Sequence, residues 1–247
     1  MPKRMALPEG MTMTPVAIYE YLRQANATTS CEPFDGYVLA CIFTAAVGEN
    51  IAGGSFTDAL GIFGASLRHN IDLYFPGMLE RLEDFDLDVE PQVTEDERCV
   101  RELLWRFRSA PQPLNSLLSV LVARRATRAN HLWQDLGLAN RDELSRLMVR
   151  HFPALALRNS QDMKWKKFFY RMICRDEGFS MCTAPCCSDC SDFALCFGDE
   201  SGESLFARSR LANEVSGLTT TYSSCALKLN RHVANPTIHI TSRNEVA

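Results

Sequence analysis

The chain has 247 residues, of which 46% are hydrophobic and 23% are charged, and its formal net charge is −4. This composition is typical of a globular protein with a buried core, and it excludes a collagen-like, coiled-coil or wholly disordered chain. The best apolar stretch, residues 38–47, is too short to cross a bilayer, and residues 1–15 lack the apolar segment of a secretory signal. The sequence therefore predicts a cytoplasmic protein without a membrane span.

Helix-start signals and apolar spacing predict a succession of helices in the first part of the chain. The predicted N-caps are Thr14, Asp35 and Ser55. The helix after Asp35 is expected to end near Gly48, and Pro76 must interrupt the helical stretch in which it lies. The acidic residues that lead to Pro91 are expected to form an exposed link.

The same signals continue through the middle of the chain. Predicted helices span residues 95–108, 114–128, 131–136, 141–151 and 163–177. Their expected caps are Thr94, Asn130, Asn140 and Asp162. Strand signals are weak and confined to residues 218–222 and 237–241.

These patterns predict an all-α fold, a compact multi-helix domain with a cysteine-rich metal-binding loop near its C-terminal end. We expect a flexible N-terminus over residues 1–13 and the helical domain over residues 14–208, with the cysteine loop at 182–196. The polar residues 209–247 are expected to form a flexible C-terminal extension.

The charges are segregated along the chain. Residues 98–175 carry sixteen Lys or Arg residues and five acidic residues, whereas residues 80–97 and 176–203 are strongly acidic. Arginine-rich helix faces in water are the simplest interpretation of the basic block. A surface that attracts oxyanions, an acidic partner or nucleic acid is the functional interpretation.

Cysteine is the outlier in the composition. Ten cysteines are present, and five of them lie between Cys182 and Cys196. In a chain that stays in a reducing compartment, a tight group of thiols indicates metal binding or redox chemistry more than disulfides. The pattern C-x4-C-x2-C-x5-C results when Cys187 is used, and the adjacent Cys186 leaves the register ambiguous.

Counting residues separates the alternatives for this loop. The radical-SAM spacing would need a cysteine at Asp189, and a ferredoxin-like spacing would need one at Phe193. A thioredoxin-like pair would need a βαβ context, which the sequence lacks. Thiolates at this spacing suit an iron–sulfur cluster or zinc, and both remain open on spacing alone.

The helix predicted before the loop has a basic face and an apolar stripe. Its bases at three- and four-residue intervals are Lys164, Lys167, Arg171 and Arg175. That face leads into the cysteine loop, so an incoming anion could meet it first. Cys174 is expected on the basic side, and both it and His151 are candidate additional metal ligands, although burial is the simpler interpretation of each.

Four segments together resemble the NifQ family. They are NHLWQDLGL (130–138), RDELSRLMVRHFPALALRN (141–159), DMKWKKFFYRMICRDEG (162–178) and CTAPCCSDCSDFALCFGDESGESLFAR (182–208). The likeness is dense from about residue 120 to residue 208 and weaker over the N-terminal half. It does not extend into the tail.

The resemblance implies a carrier and not an enzyme, since the family contributes molybdenum to the iron–molybdenum cofactor of nitrogenase in nitrogen fixation. It implies an iron–sulfur cluster of the 3Fe–4S or 4Fe–4S type that takes up molybdenum. The family's ligand positions correspond to Cys182, Cys187, Cys190 and Cys196. The implied partners are the cofactor scaffold NifEN, the iron protein NifH, and molybdate or a molybdenum–sulfur species, with neither membrane nor nucleic acid expected.

A second class of function stays open beside this one. A zinc-stabilised helical adaptor could use the same cysteines and bind an acidic partner or nucleic acid through the basic block. No phosphate loop, nucleophile elbow or carboxylate pair placed for acid–base chemistry is present, so a catalyst is the third choice.

Overall fold

The computed structural model describes residues 14–176 together with Cys196 and Glu200. Within them the regular structure is helical and no strand occurs, which confirms the all-α prediction for this part of the chain. The helices are α1 (Pro15–Asn26), α2 (Pro33–Ile51), α3 (Phe56–Leu60), α4 (Gly64–Tyr74), α5 (Glu95–Arg106), α6 (Pro113–Ala126), α7 (Leu132–Asp135), α8 (Arg141–His151), α9 (Pro153–Ala156) and α10 (Trp165–Asp176), with a 3-10 turn at Leu79–Arg81. No helix in the described ranges combines the length and apolar character that a bilayer crossing requires.

Several helix starts lie where the sequence predicts them. In four helices a side-chain oxygen of the predicted cap accepts a hydrogen bond from a backbone N–H three residues later, at 3.0 to 3.3 Å. These caps are Thr14, Ser55, Thr94 and Asn140. The bond satisfies one of the N–H groups that the first helical turn leaves without a partner, which is why small polar residues predict these positions.

Three predicted caps are wrong: those at Asp35 and Asn130, and the one at Asp162 before α10. Helix α2 is capped by Glu32, whose carboxylate accepts from Phe34 N at 2.9 Å, because Pro33 takes the first helical position. Asp35 lies inside that first turn and is buried. Helix α7 is capped by His131, and the Asn130 side chain donates to Asp135 instead, at 2.9 Å.

Helix α10 begins later than predicted. Asp162 does not cap it, because this residue has a left-handed backbone with φ +54°. The helix instead opens after Lys164, whose carbonyl accepts from Phe168 N at 2.9 Å. The predicted apolar stripe is confirmed, since four of its side chains are buried in the core: Trp165, Phe168, Phe169 and Met172.

Helix α2 forms the centre of the core. Most of its residues are buried on every side, with α1 and α3 packed against it. Helix α6 is also largely buried and packs on α5, which in turn contacts α10. The turn after α7 touches the α2 backbone, where Gly137 has φ +73° and an added Cβ would lie 3.0 Å from the Cys41 carbonyl oxygen. Only glycine fits that position without strain.

The predicted terminal segments lie outside the described residues. This applies to residues 1–13, to the extension at 209–247, and to the two weak strand signals within that extension. The described helices all fall within the predicted domain at 14–208.

Candidate metal centre and its surroundings

Of the four predicted cysteine ligands, the structure describes Cys196. Its carbonyl oxygen accepts a hydrogen bond from Lys164 N at 2.9 Å, which fixes its backbone at the start of α10. Its side chain is partly buried and packs against the hydrophobic core. The other predicted ligands, Cys182, Cys187 and Cys190, and the neighbouring Cys186 lie outside the described residues.

Glu200 provides a second attachment four residues further along. Its side chain is only 8% exposed and forms an ion pair with Arg141 at the start of α8. The other carboxylate oxygen lies 3.2 Å from Nδ1 of His131. The last cysteine of the motif and a residue just after it are therefore both attached to the helical body.

The cysteine segment, residues 177–196, runs between two described points. Helix α10 runs from Trp165 to Asp176 and is about 18 Å long at 1.5 Å per residue. The chain leaves its C-terminal end at Asp176, and Cys196 lies at its N-terminal end. The cysteine motif is therefore carried by a segment that connects the two ends of one helix.

Cys174 lies at the far end of α10 from Cys196. It is half-buried, as the simpler interpretation predicted. Ten residues separate it from Lys164, which corresponds to about 15 Å along the helix axis. Two thiolates on one metal ion need α-carbons much closer than this. The position of Cys174 therefore argues against its sharing a single ion with Cys196.

His151 is buried at the end of α8, and both ring nitrogens are engaged. Nδ1 lies 2.7 Å from Asn115 Oδ1, and Nε2 lies 2.9 Å from Asp35 Oδ1. The Asn115 amide nitrogen donates to Ala110 O at 2.9 Å, which directs its oxygen toward the ring. His151 thus has no nitrogen left for a metal, and its prediction as an additional ligand is not supported by this arrangement.

The carboxylate that faces His151 belongs to a compact ionic cluster. Arg150 donates to both oxygens of Asp35, at 2.8 and 3.1 Å. Burial by itself raises the pKa of Asp35, but hydrogen bonds from His151 and Arg150 outweigh burial and hold that pKa below its usual value. The cluster joins α2 to α8 and is part of the fold's support.

Six of the sixteen bases in the basic block are wholly or partly buried and form ion pairs with acidic residues. Arg125 is 1% exposed and forms an ion pair with Glu49, and Arg124 lies 3.3 Å from both Glu97 and Asp58. The others are Arg101, Arg128, Arg141 and Lys166. The prediction of solvated arginine faces is wrong for these residues, because acids from distant parts of the chain fold against them.

Helix α10 separates its lysines. Lys166 is turned inward, where its ammonium donates to Asp135 at 2.6 Å. Burial lowers the pKa of Lys166, although Asp135 opposes this. Lys167 is exposed, while Lys164 and Arg171 are half-buried. The side chain of Arg175, the fourth base of the predicted face, lies outside the described part of the structure.

One orphaned polar group lies beside the Cys196 attachment. Among the described residues the buried indole N–H of Trp165 has no hydrogen-bond acceptor, and Trp165 directly follows the residue that bonds Cys196. A buried donor of this kind costs free energy unless it finds an acceptor. The sulfur atoms of a thiolate-bound cluster are acceptors, so the donor set at this end of α10 is compatible with one. The described residues alone contain no group of three metal-ligating side chains.

Together these features define a protein whose described part is all-helical, with the last cysteine of its motif attached at one helix. Comparison with known proteins gives the family. The model of the NifQ family matches residues 38–198, so the chain belongs to the NifQ family. No solved structure matches the chain.

Two curated relatives illustrate the extent of the likeness. A protein described as a NifQ homolog from Sinorhizobium fredii is 43% identical over 175 residues, which cover 69% of this chain and 75% of the relative. Protein NifQ from Rhodobacter capsulatus is 41% identical over 148 residues, which cover 60% of this chain and 80% of the relative. The family resemblance predicted from the sequence is thereby confirmed.

Sequence reasoning missed Arg141 and Glu200 as parts of the site. Both fall in segments that carry the family resemblance, but no periodicity or spacing relates two residues 59 positions apart. The one local signal was the acidic character of the residues after the cysteines. It did not indicate which base would pair with Glu200.

Proposed function

We propose that this protein carries molybdenum for assembly of the iron–molybdenum cofactor of nitrogenase. In this proposal an iron–sulfur cluster is held by Cys182, Cys187, Cys190 and Cys196. The observation that carries the proposal is the attachment of Cys196, the last cysteine of the motif, to the N-terminal end of α10. Membership of the NifQ family supports the same function.

The thiolates and their surroundings have distinct roles in this proposal. Thiolates are soft ligands that suit iron–sulfur clusters, and such a cluster supplies sulfide that can hold molybdenum. The backbone bond from Lys164 N fixes Cys196 on the helical body. The indole N–H of Trp165, the residue after Lys164, is a buried donor that the described residues leave without an acceptor.

The cargo is proposed to arrive as an anion. Molybdate is a dianion, and a face of positive side chains raises the local concentration of anions. Lys164, Lys167 and Arg171 lie at intervals of three and four residues, and Arg175 continues the interval. We propose that this face draws molybdate, or a molybdenum–sulfur species, toward the cysteine segment.

Delivery requires acceptors and a compartment that keeps thiols reduced. We propose the scaffold NifEN and the iron protein NifH as the partners, and the cytoplasm as the site of action. The protein is then a carrier that binds and releases its cargo without turning over a substrate.

The zinc adaptor is less favoured because its binding surface is reduced. The adaptor hypothesis requires the basic block to contact an acidic partner or nucleic acid. Several of those bases instead form ion pairs inside the molecule. Charges neutralised in this way contribute little to a long-range field. Metal analysis decides between zinc and iron directly.

The test is metal analysis of protein purified without oxygen. Wild-type protein should contain iron and sulfide, absorb near 400 nm, take up molybdenum, and give an electron paramagnetic resonance signal in a suitable redox state. Replacing Cys182, Cys187, Cys190 or Cys196 by serine should remove most of the iron. Cys99→Ser, a half-buried cysteine of α5 outside the motif, is the matched control and should retain it.

Two further results would change the assignment. If Cys186→Ser loses iron and Cys187→Ser keeps it, the register of the motif is shifted by one residue. Zinc in place of iron, or full cofactor maturation with all four serine variants combined, would contradict the proposal.

A further inference from the structure

The Glu200 carboxylate is removed from water and yet remains ionically paired. Its side chain is 8% exposed, and that of its partner Arg141 is 20% exposed. Burying a carboxylate is unfavourable unless charge and hydrogen bonds compensate it. Glu200 is therefore restricted to the place where Arg141 can reach it.

Arg141 is in turn fixed by the residues just before α10. Its Nη2 donates to the Asp162 carboxylate at 2.8 Å, to Asp162 O at 2.9 Å and to Met163 O at 3.0 Å. Burial lowers the pKa of Arg141, but hydrogen bonds to Asp162 and Glu200 outweigh burial and raise it. The guanidinium thus stays charged and connects Glu200 to the start of α10.

Cys196 and Glu200 are attached to the same end of α10 by different bonds. Cys196 is held by a backbone hydrogen bond from Lys164 N and by packing of its side chain against the core. Glu200 is held by Arg141, which also donates to Met163 O. A net hydrogen bond contributes only about 1 kcal/mol, so a buried ion pair four residues later adds a substantial second restraint.

We propose that Glu200, acting through Arg141, is a positioning residue that fixes Cys196 for metal binding. The proposal rests on the proposed function, since it assumes that Cys196 is a ligand. A ligand held in place before the metal arrives loses less conformational entropy on binding, and residues that orient ligands typically contribute about 10- to 100-fold in metal affinity. Neither Glu200 nor Arg141 is required to touch the metal.

The experiment compares two variants in which one of the two acidic partners of Arg141 is replaced by its amide. Glu200→Gln removes the buried charge partner of Arg141, and Asp162→Asn removes the exposed one, whose side chain is 76% exposed. Asparagine tolerates the left-handed backbone at residue 162, so the control does not add strain. Both variants are first compared with wild type for helix content and unfolding midpoint.

The first measurement uses metal-free protein. The rate at which iodoacetamide alkylates Cys196 is followed by mass spectrometry of its peptide, with Cys99 as an internal reference. We expect Glu200→Gln to raise the Cys196 rate severalfold while the Cys99 rate and the unfolding midpoint stay constant. Asp162→Asn keeps both backbone acceptors of Arg141, so it should raise the Cys196 rate less than Glu200→Gln does.

The second measurement is ferrous iron and sulfide reconstitution without oxygen. Glu200→Gln should bind iron at least about tenfold more weakly than wild type and shift the paramagnetic resonance signal, and the loss in Asp162→Asn should be smaller. Arg141→Lys, which keeps the charge but loses the forked geometry, should fall between them. If Glu200→Gln misfolds, Arg141→Lys carries the test.

The outcomes separate the two proposals. Wild-type rates and iron affinity in Glu200→Gln, or equal losses in Asp162→Asn, would overturn the positioning role. A wild-type protein that binds no iron would contradict the proposed function, and the alkylation measurement would still decide whether Glu200 fixes Cys196.

Discussion

Two buried carboxylates in this protein have the same kinds of partner in different settings. Asp35 pairs with Arg150 and His151, while Glu200 pairs with Arg141 and lies beside His131. The Asp35 cluster joins α2 to α8 inside the core, whereas the Glu200 pair joins the residues after the cysteine motif to the start of α8.

The contrast shows that the role of an ionic pair depends on what it connects. Asp35 links two helices that hydrophobic packing already holds together, so its loss should lower the free energy of unfolding of the whole helical body. Glu200 links a segment to the body, so its loss should appear locally, at Cys196. If stability and metal binding respond together at both carboxylates, the distinction is wrong.

Asp35→Asn should produce the largest change in stability. It leaves the buried His151 ring and the Arg150 guanidinium, whose side chain is 42% exposed, facing a neutral amide. Breaking a fully buried ion pair on one side costs about 3 to 5 kcal/mol, and screening of Arg150 by water lowers the expected cost to on the order of 2 kcal/mol. Urea unfolding followed by circular dichroism measures the change. Iron bound per folded chain should remain that of wild type.

Asp88→Asn is the control for that variant. Asp88 pairs with Arg68 through two hydrogen bonds of 2.7 and 2.8 Å, but both side chains are exposed. Exposed pairs contribute little, because water and salt screen the charges and two long side chains must be ordered. An equal loss of stability in the two variants would show that burial does not decide the effect.

Acid should weaken the Asp35 contribution in a defined direction. The hydrogen bonds from His151 and Arg150 hold the pKa of Asp35 below its unfolded value of about 3.9. The folded state therefore binds this proton less readily, and the stabilisation is fully present above the unfolded pKa and is lost as pH falls through the folded pKa. The difference in unfolding free energy between wild type and Asp35→Asn should shrink as pH falls below about 4.

Taking this difference removes the contribution of the other carboxyl groups, which titrate in both proteins. A difference that grows on acidification would mean that the pKa of Asp35 is raised in the folded state. The assignment of the cluster as a charged support would then be wrong.

The sequence predicted what depends on neighbours along the chain. Thr94 and Asn140 mark helix starts because a cap and the N–H group it accepts from are three residues apart. The cysteine motif is equally local, and its spacing together with the flanking segments was enough to identify the family. Asp35 was misassigned because an acid near a helix start resembles a cap, whereas Glu32 occupies the place before Pro33.

What the sequence could not predict depends on distant residues. Arg150 and Asp35 are 115 positions apart, and Arg141 and Glu200 are 59 apart. A charge pair of this kind forms only after the helices have packed, so no local pattern indicates it. For the same reason the basic block resembled a binding surface, although much of its charge is neutralised by acids such as Glu49 and Asp58.

The smallest expected effect tests whether the basic face of α10 differs in function from exposed bases on other parts of the chain. Changing Lys164, Lys167 and Arg171 to glutamine should lower the rate of molybdenum loading severalfold at low salt, because an incoming dianion is no longer attracted. The difference should narrow as salt rises, since about 0.15 M salt screens exposed charges beyond about 8 Å. Iron content and unfolding midpoint should not change, because the thiolates are untouched.

The matched control removes three bases from other helices and loops. Changing Arg98, Arg146 and Arg158 to glutamine alters the net charge by the same amount, and all three side chains are exposed. If both triple variants load molybdenum equally slowly, the effect comes from total charge and the face on α10 has no special role. If neither differs from wild type, the cargo reaches the cysteine segment without electrostatic attraction. Only slower loading in the α10 variant alone supports a face that guides an anion to the end of the helix where Cys196 is held.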